Sequence, residues 1–355
     1  MTTQRDLELL HKAARLAIRG HGGAEPNPMV GCVITNRNGT IVGSGYHRIY
    51  GEAHAEINAI QSAGDETLGG TAYITLEPCN HHGKTSPCTH ALVESGIKRI
   101  VIGVEDPHPE AGGGAEFLER SGLDVTIVND ALCHDLVAPF VHRLKTGLPW
   151  VICKWAQTTD GCIEPDNDGS QWISSQASLR MVHRERGRVD AIIVGASTVA
   201  SDNPSLTVRD ATKRRTPVRV VIDPSLRTSL DSNICNDEAP TLIAHAEGED
   251  ASRFASDSIA LPATNHSLDL APLLRHLSTE YDATNVIIEG GATTFGHVFD
   301  QCLVHELWVF TAPHTANHTP KINMNDLVAN LSLRLMDERM RENDTVSRYR
   351  VTHCQ

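Results

Sequence analysis

The sequence lacks any apolar run that approaches the roughly 18 residues of a membrane-spanning helix. Residues 2–20 carry polar and charged side chains throughout, so they also lack the apolar stretch of a signal peptide. These absences predict a cytoplasmic protein that does not contact a membrane. Residues 2–20 show instead the spacing of an amphipathic helix, with an apolar face made of Leu7, Leu10, Ala14, Ala17 and Ile18.

Paired cysteines and positive charge are also scarce. The nine cysteines are an odd number and most stand alone, which indicates no disulfide framework and fits a reducing compartment. Lys and Arg number 31 against 44 Asp and Glu, so the net charge is -13. Because phosphate contacts need clustered Lys and Arg, this balance argues against a nucleic-acid partner. The chain does have 355 residues, 40% of them apolar, which is enough for two domains with separate cores.

Three side chains that commonly bind metals are His54, Cys79 and Cys88. A neutral imidazole and two thiolates suit a tetrahedral Zn²⁺, and three protein ligands leave a fourth position open for water, which is typical of catalytic zinc. Glu56 follows His54 by two residues at a predicted helix start, so its carboxylate can exchange protons near the metal without binding it. The pattern predicts three zinc ligands and Glu56 as the catalytic acid and base.

Each part of this pattern is weak by itself. A His and a Glu at a helix start are more often a solvated turn, and two loop cysteines are more often half-buried free thiols. The context favours metal binding, because Pro78-Cys79 follows the β-rich run 71–76 and Cys88 opens an apolar helical pattern. Zinc-dependent nucleobase deaminases have the signature Pro-Cys-x-x-Cys, whereas eight residues separate the two cysteines here.

With this wider spacing, the segment from Pro78 to Cys88 resembles one family, the bifunctional pyrimidine deaminase/reductases of riboflavin biosynthesis. The segments from Pro26 to Val33 and from Gly51 to Glu56 fit the same family. The resemblance covers residues from about 5 to 313 and is strongest before residue 110. It implies an α/β protein with a cytidine-deaminase-like zinc domain over residues 1–146. A dihydrofolate-reductase-like NADPH-dependent reductase domain is implied over residues 147–355.

The spacing of apolar residues predicts the order of the elements. Strands are predicted at 29–35, 40–46, 71–76, 99–104, 125–128, 150–155, 191–194, 218–222, 241–244, 286–289 and 306–310. Helices are predicted at 54–63, 88–95, 115–121, 175–186, 270–277 and 292–299. Asn38-Gly39 predicts a hairpin, and a Gly/Pro break at 146–149 marks a boundary. The second half should form a largely parallel sheet, whereas residues 326–355 are polar and little like the family.

In the first domain the resemblance implies that Asn27 and Lys84 contact the substrate. Asn27 stands between two prolines that fix its backbone, and Lys84 would offer a cation to a phosphorylated substrate in an acidic chain. His47 and His81 are expected to be solvent-facing loop residues. The family pattern Asp-Pro-Asn-Pro is replaced by Asp106-Pro107-His108-Pro109, so this loop departs from the family.

Two segments of the second domain suit a ligand through their own chemistry. Gly290 and Gly291 stand between an apolar strand and a helix start, where a phosphate can approach backbone N–H groups. A Gly-Gly pair is more often only a tight turn, and no Gly-x-Gly-x-x-Gly fingerprint is present. Residues 194–209 are predicted to be a long polar loop after a strand, which is either a ligand loop or a surface crossover.

The resemblance assigns roles to these segments. It implies NADPH contacts at Ala156, Trp172, Thr198, Asp202, Gly291, Ala292 and Thr293. It implies substrate contacts at Lys154, Ser170, Arg186, Leu206, Arg209 and Glu289. Arg186 and Arg209 suit phosphate because a guanidinium offers a bidentate fork, and Lys154 and Glu289 could form an ion pair near the reacting ribose.

The expected function is riboflavin biosynthesis by a homo-oligomer that acts on small molecules. The first reaction is zinc-dependent hydrolytic deamination of 2,5-diamino-6-(5-phosphoribosylamino)pyrimidin-4(3H)-one. The second is NADPH-dependent reduction of the ribose of 5-amino-6-(5-phosphoribosylamino)uracil. An alternative is a deaminase with a degenerate reductase domain, suggested by departures at Thr159, His305 and the C-terminal segment. A nucleic-acid-editing deaminase would need a basic groove, and a structural zinc module would need a fourth ligand such as His81 or His82.

Overall fold

The computed structural model describes residues 2–81, 87–108, 112–164, 173–264, 267–319 and 322–354. The chain forms two compact units, Met1–Thr146 and Gly147–Gln355. Within the described ranges, no helix is both long enough and apolar enough to cross a bilayer.

The first unit is a mixed sheet between two layers of helices. Its elements are α1 (Gln4–Ala17), β1 (Gly31–Thr35), β2 (Ile41–Tyr46), α2 (Ala55–Ala63), β3 (Thr71–Leu76), α3 (Cys88–Glu94), β4 (Arg99–Val104), α4 (Gly114–Arg120), β5 (Asp124–Ile127) and α5 (Ala131–Thr146). The strand order is β2-β1-β3-β4-β5. β1 is antiparallel to both of its neighbours, and β3, β4 and β5 run parallel. The C-terminal ends of β2, β3 and β4 therefore lie at the same edge of the sheet.

Alternation along the strands produces the two layers, because successive side chains point to opposite faces. Ile34 and Ile74 pack with α2, α3 and α4, whereas Val33 and Tyr73 pack with α1. The cysteine of α5, Cys133, packs on the α1 face as well. The predicted strands and the Asn38-Gly39 turn are confirmed, but α5 was not predicted.

The apolar face of α1 differs from the predicted one. Thr3 caps the helix, and Leu9, Leu10 and Ala13 are buried together with Ala14 and Ala17. Ile18 is 47% exposed, because the chain leaves the α-helix in a 3₁₀ turn over Ile18–Gly20. The prediction that Ile18 belongs to the apolar face is therefore wrong.

The second unit is organised on one long sheet. Its elements are β6 (Trp150–Gln157), α6 (Gln176–Arg186), β7 (Ala191–Gly195), α7 (Ala196–Asp202), β8 (Val218–Ile222), β9 (Thr241–Ala246), β10 (Asp257–Leu261), β11 (Ala263–Thr264), β12 (Ser267–Leu268), α8 (Ala271–Glu280), β13 (Asn285–Ile288), α9 (Ala292–Asp300), β14 (Glu306–Thr311), α10 (Met324–Leu327), β15 (Leu331–Arg341) and β16 (Asp344–Cys354). Nine strands of the described residues follow the order β10-β9-β8-β7-β13-β6-β14-β16-β15. The sheet is parallel from β10 to β14, which confirms the largely parallel prediction.

Two segments of this unit correct the sequence-based expectations. The predicted polar loop over residues 194–209 contains the helix α7, whose Ser, Thr, Val and Asp residues have weaker helix propensity than Ala and so give little local signal. The polar C-terminal segment forms the antiparallel pair β15 and β16, which extends the sheet beyond β14.

The register of the central strands determines where functional side chains meet. Ile288 of β13 pairs with Cys153 of β6 and with Ile193 of β7. The next residues, Lys154 and Glu289, therefore stand beside one another at the C-terminal edge of parallel strands. This edge is where open α/β sheets commonly bind ligands.

Candidate active sites

The three predicted metal ligands converge in the first unit. His54 is the N-cap residue of α2, Cys79 follows β3, and Cys88 is the first residue of α3. His54 Nδ1 lies 3.6 Å from Cys79 Sγ and 3.4 Å from Cys88 Sγ. Bond lengths of about 2.0 Å to nitrogen and 2.3 Å to sulfur place the ligand atoms of a tetrahedral zinc about 3.6 Å apart. The three side chains thus fit a zinc ion.

The two sulfurs interact with each other directly. A hydrogen bond from the Cys88 thiol lowers the pKa of Cys79 to about 4, and the same bond raises the pKa of Cys88. The backbone N–H of Cys88 also donates to Cys79 Sγ at 3.5 Å. The pair thus favours ionisation of Cys79, and binding of a metal by both thiolates would release the remaining proton.

Glu56 lies in the first turn of α2 and is 3% exposed. Burial raises its pKa to about 7, so that the carboxyl group can either hold or release a proton near neutral pH. Its Oε2 atom has no hydrogen-bond partner among the described residues. A buried carboxyl oxygen of this kind beside a ligand cluster is chemically suited to proton transfer.

His54, Glu56 and Cys79 line a cavity of about 320 Å³, which is the size of a small ligand pocket. The lining includes Asn27, His47 and Asp106. His81 and His108 line it as well, so the loop that departs from the family pattern does contribute to the cavity. The predicted substrate contact Lys84 and the proposed fourth ligand His82 lie outside the described residues. Among the residues that are described, no fourth His, Cys, Asp or Glu joins the ligand cluster.

The expectation that His47 faces solvent is wrong. His47 is 2% exposed, and its ring lies edge-on to that of His54 at 5.0 Å. Its Nδ1 lies 3.2 Å from the carbonyl oxygen of Ala53, an acceptor, so this nitrogen carries the proton. Its Nε2 then accepts a hydrogen bond from Asn27 Nδ2 at 3.3 Å, which fixes the orientation of the Asn27 amide.

Position at the sheet edge is the signal that could have identified His47. It directly follows β2, as Cys79 follows β3 and Asp106 follows β4. These three strands end at one edge, so their following residues approach each other. The alternation of strands alone did not show that β2 runs in the same direction as β3.

A cluster of charged residues lies at the C-terminal edge of the central strands in the second unit. Arg186 forms two hydrogen bonds with Glu289, both of 2.8 Å, and Lys154 Nζ lies 3.5 Å from Glu289 Oε2. Burial alone would raise the pKa of Glu289, but the two cations lower it to about 2. The ion pair between Lys154 and Glu289 is present, and Arg186 completes a partly buried cluster of three charges.

The turns before α7 and α9 lie next to each other. Thr294 packs against both turns. A Cβ atom added to Gly195 would lie 2.6 Å from Thr294 Oγ1, and one added to Gly290 would lie 2.7 Å from Thr294 Cβ. Thr198 Oγ1 lies 3.7 Å from the place of a Cβ on Gly291, the N-cap residue of α9. The structure thereby brings together two of the residues predicted to contact NADPH.

The other predicted cofactor residues occupy separate places. Ala292 and Thr293 begin α9, and Asp202 ends α7 and accepts a hydrogen bond from Ser201. Ala156 stands on β6 opposite Phe310 of β14. Trp172 and the predicted substrate contact Ser170 lie outside the described residues.

Leu206 and Arg209 belong to a segment that contacts α6. Leu206 is buried with a φ of 50°, and Arg209 is exposed. The backbone N–H of Arg209 donates to Nδ1 of His183, which stands one helical turn before Arg186. Sequence reasoning missed His183, although its spacing of three from Arg186 places both on one side of the helix.

Two family models match the chain, one for each unit. The cytidine and deoxycytidylate deaminase zinc-binding region matches residues 3–104, and the RibD C-terminal domain matches residues 149–343. The second match continues beyond residue 313, where the resemblance was expected to end, and reaches into the polar segment 326–355, which was expected to be little like the family. The α/β class predicted for both halves is confirmed.

Similar proteins are found over most of the chain. The riboflavin biosynthesis protein RibD of Actinobacillus pleuropneumoniae is 37% identical over 88% of this chain and 84% of its own length. The protein with that name from Bacillus amyloliquefaciens is 39% identical over 86% of this chain and 83% of its own. A crystal structure from Thermotoga maritima, described as a diaminohydroxyphosphoribosylaminopyrimidine deaminase/5-amino-6-(5-phosphoribosylamino)uracil reductase, has a TM-score of 0.80 and 31% identity. The match covers 98% of this chain and 99% of that one. The chain therefore belongs to the RibD family of riboflavin biosynthesis proteins.

Proposed function

We propose that the protein catalyses two successive reactions of riboflavin biosynthesis. Its first unit hydrolytically deaminates 2,5-diamino-6-(5-phosphoribosylamino)pyrimidin-4(3H)-one, and its second unit reduces the ribose of 5-amino-6-(5-phosphoribosylamino)uracil with NADPH. The single observation that carries the proposal is the convergence of His54, Cys79 and Cys88 beside the buried carboxyl of Glu56.

In the first unit His54, Cys79 and Cys88 would hold zinc, which would supply the Lewis acidity that makes water nucleophilic near neutral pH. Glu56 takes a proton from the attacking water at Oε2 and delivers it to the departing amine, so that water enters and ammonia leaves. Asn27, oriented by His47, keeps its Oδ1 as an acceptor for an N–H group of the pyrimidine. Lys84 is proposed to bind the phosphate.

In the second unit NADPH supplies the hydride when it is bound near the turns that precede α7 and α9. Thr198, Asp202, Ala156, Trp172 and the start of α9 are proposed to bind it. Glu289 holds Lys154 and Arg186 in one place, so that their donors can orient the polar groups of the ribose. Arg186, Arg209, Leu206 and Ser170 are proposed to position the phosphoribosyl group.

The expected chemistry also suggests where the protein works. We propose a cytoplasmic homo-oligomer that takes small-molecule substrates and binds no nucleic acid. The net charge of -13 supports the absence of nucleic acid, and the odd number of mostly isolated cysteines in the sequence supports a reducing compartment.

The test is to incubate the purified protein with the diaminopyrimidine substrate, with and without NADPH, and to follow ammonia release and NADPH absorbance together. We expect ammonia in both samples and NADPH oxidation only after deamination. Ammonia without any NADPH oxidation would instead favour a second unit that no longer reduces substrate. Absence of both signals from a zinc-loaded protein would contradict the proposal.

A further inference from the structure

Helix α6 carries basic residues on two sides. One side bears His183 and Arg186, which belong to the proposed reductase site. The other bears Arg180 and Arg184, which are four residues apart, and Arg188 follows at the same spacing just beyond the end of the helix, so the three form one stripe. Like charges at this spacing destabilise a helix, so the stripe has a cost that the reductase reaction does not explain.

The stripe forms one wall of a groove with a volume of about 510 Å³. Arg214 and Asp210 contribute from the segment after Arg209, and Arg341 contributes from the end of β15. Three separate parts of the second unit therefore direct five arginines to one place. This concentration of positive charge is unexpected in a chain whose net charge is -13.

Two carboxylates from outside the lining contact arginines of the stripe. Glu185 lies 3.3 Å from both Arg184 and Arg188, and Glu342 lies 3.4 Å from Arg180 in a pair exposed by more than half on each side. Asp210 is the acidic residue in the lining. Exposed pairs of this kind are weak, so Arg180 can exchange its partner for a ligand. Among the described lining residues, five arginines accompany one aspartate, so the lining carries a positive excess.

We propose that this groove binds a compact, multiply charged phosphate anion at a site separate from the reductase centre. Guanidinium groups form bidentate hydrogen bonds with phosphate oxygens, and donors from three directions suit an anion with several phosphate groups. The groove is larger than a single orthophosphate needs and accommodates a pyrophosphate or the phosphate chain of a nucleotide. The groove belongs to the second unit and not to the zinc-bearing unit, so it is not the basic groove that a nucleic-acid-editing deaminase would need.

The test compares two double variants that remove equal charge. Arg214→Gln/Arg341→Gln alters the groove, whereas Arg275→Gln/Arg339→Gln removes two exposed arginines outside its lining. Arg339 stands two residues before Arg341 on the same strand, which makes it a close control. Calorimetric titrations at one fixed ionic strength use inorganic pyrophosphate, orthophosphate, a nucleoside triphosphate and a short oligonucleotide. The titrations with pyrophosphate and with the nucleoside triphosphate show whether the groove takes a free polyphosphate or the phosphate chain of a nucleotide.

We expect the groove variant to bind pyrophosphate at least about tenfold more weakly than the control, because it loses the charge-assisted hydrogen bonds of two guanidinium groups. NADPH affinity should be equal in the two variants. Equal pyrophosphate affinity in both variants, or no pyrophosphate and no nucleotide binding by the native protein, overturns the proposal. Loss of NADPH affinity in the groove variant, or tighter binding of the oligonucleotide than of pyrophosphate, overturns it as well. If the double variant does not fold, Arg214→Gln and Arg341→Gln are titrated singly against Arg275→Gln and Arg339→Gln.

Discussion

The two candidate centres differ in whether the carboxyl group at their centre is paired with other side chains. In the first unit, two sulfurs and an imidazole converge beside a carboxyl oxygen of Glu56 that has no hydrogen-bond partner in the described chain. In the second unit, Glu289 meets both Arg186 and Lys154. The carboxyl oxygen of the first centre thus remains without a partner in the described chain, whereas the carboxylate of the second centre is paired with two cations of the same unit. Substituting the acid of the first centre should change chemistry alone, and substituting that of the second should change stability as well.

The largest expected effect is that of Glu56→Gln on deamination. Loss of the proton-transfer group should slow ammonia release by about 10²–10⁴-fold. Thermal stability should not fall, because a neutral amide replaces a buried carboxyl group. Ammonia release, zinc content and melting temperature are measured on one preparation, and reduction of the deaminated substrate serves as the internal control. Undiminished ammonia release would remove Glu56 from the mechanism.

Glu289→Ala should affect both stability and reduction. It leaves Lys154 and Arg186 as buried like charges without their partner, which costs about 3–5 kcal/mol in the free energy of unfolding. Lys154→Met in the same background should recover part of this stability and none of the NADPH oxidation. Denaturant unfolding of Glu289→Ala, of Lys154→Met and of the double variant completes a double-mutant cycle that measures this coupling. A Glu289→Ala variant as stable as the native protein would contradict the comparison.

Adjacent glycines offer a smaller and sharper test of the cofactor position. Gly290→Ala should destabilise the second unit by about 1–3 kcal/mol, because its Cβ would stand 2.7 Å from the Cβ of Thr294. Gly291→Ala has room for a Cβ and an ordinary backbone conformation, so its melting temperature should be unchanged. If NADPH approaches this turn, Gly291→Ala raises the KM for NADPH alone. An unchanged KM would place the cofactor elsewhere.

The smallest effect is expected at His183, a positioning residue that holds the backbone of Arg209. His183→Ala should raise the KM for the phosphoribosyl substrate several-fold and leave kcat nearly unchanged. His183→Asn retains a side-chain acceptor and should recover much of the loss. A fall in kcat without any change in KM would assign His183 a different role.

The elements with strong local signals could be predicted from the sequence. β3 and β4 consist of continuous runs rich in β-branched residues, and their bounds are those predicted, 71–76 and 99–104. His54, Cys79 and Cys88 were identifiable because their residue types and neighbouring elements carry the chemistry. The predicted helix starts at residues 54 and 88 agree with this convergence, because they place His54 and Cys88 at the N-terminal ends of two helices.

Features that depend on distant contacts could not be predicted in the same way. The burial of His47 follows from its contacts with Asn27 and Ala53, and the position of His183 follows from a segment more than twenty residues away. The strands β15 and β16 have mixed burial without regular alternation, so the pattern that normally indicates a strand is absent there. Neighbouring strands rather than local sequence determine these features.

Metal analysis of the purified protein tests the central claim most directly. We predict one zinc per chain in the native protein, and loss of both zinc and ammonia release in Cys88→Ser while reduction of the deaminated substrate persists. A native protein that releases ammonia from the diaminopyrimidine at full rate without bound metal would contradict the account.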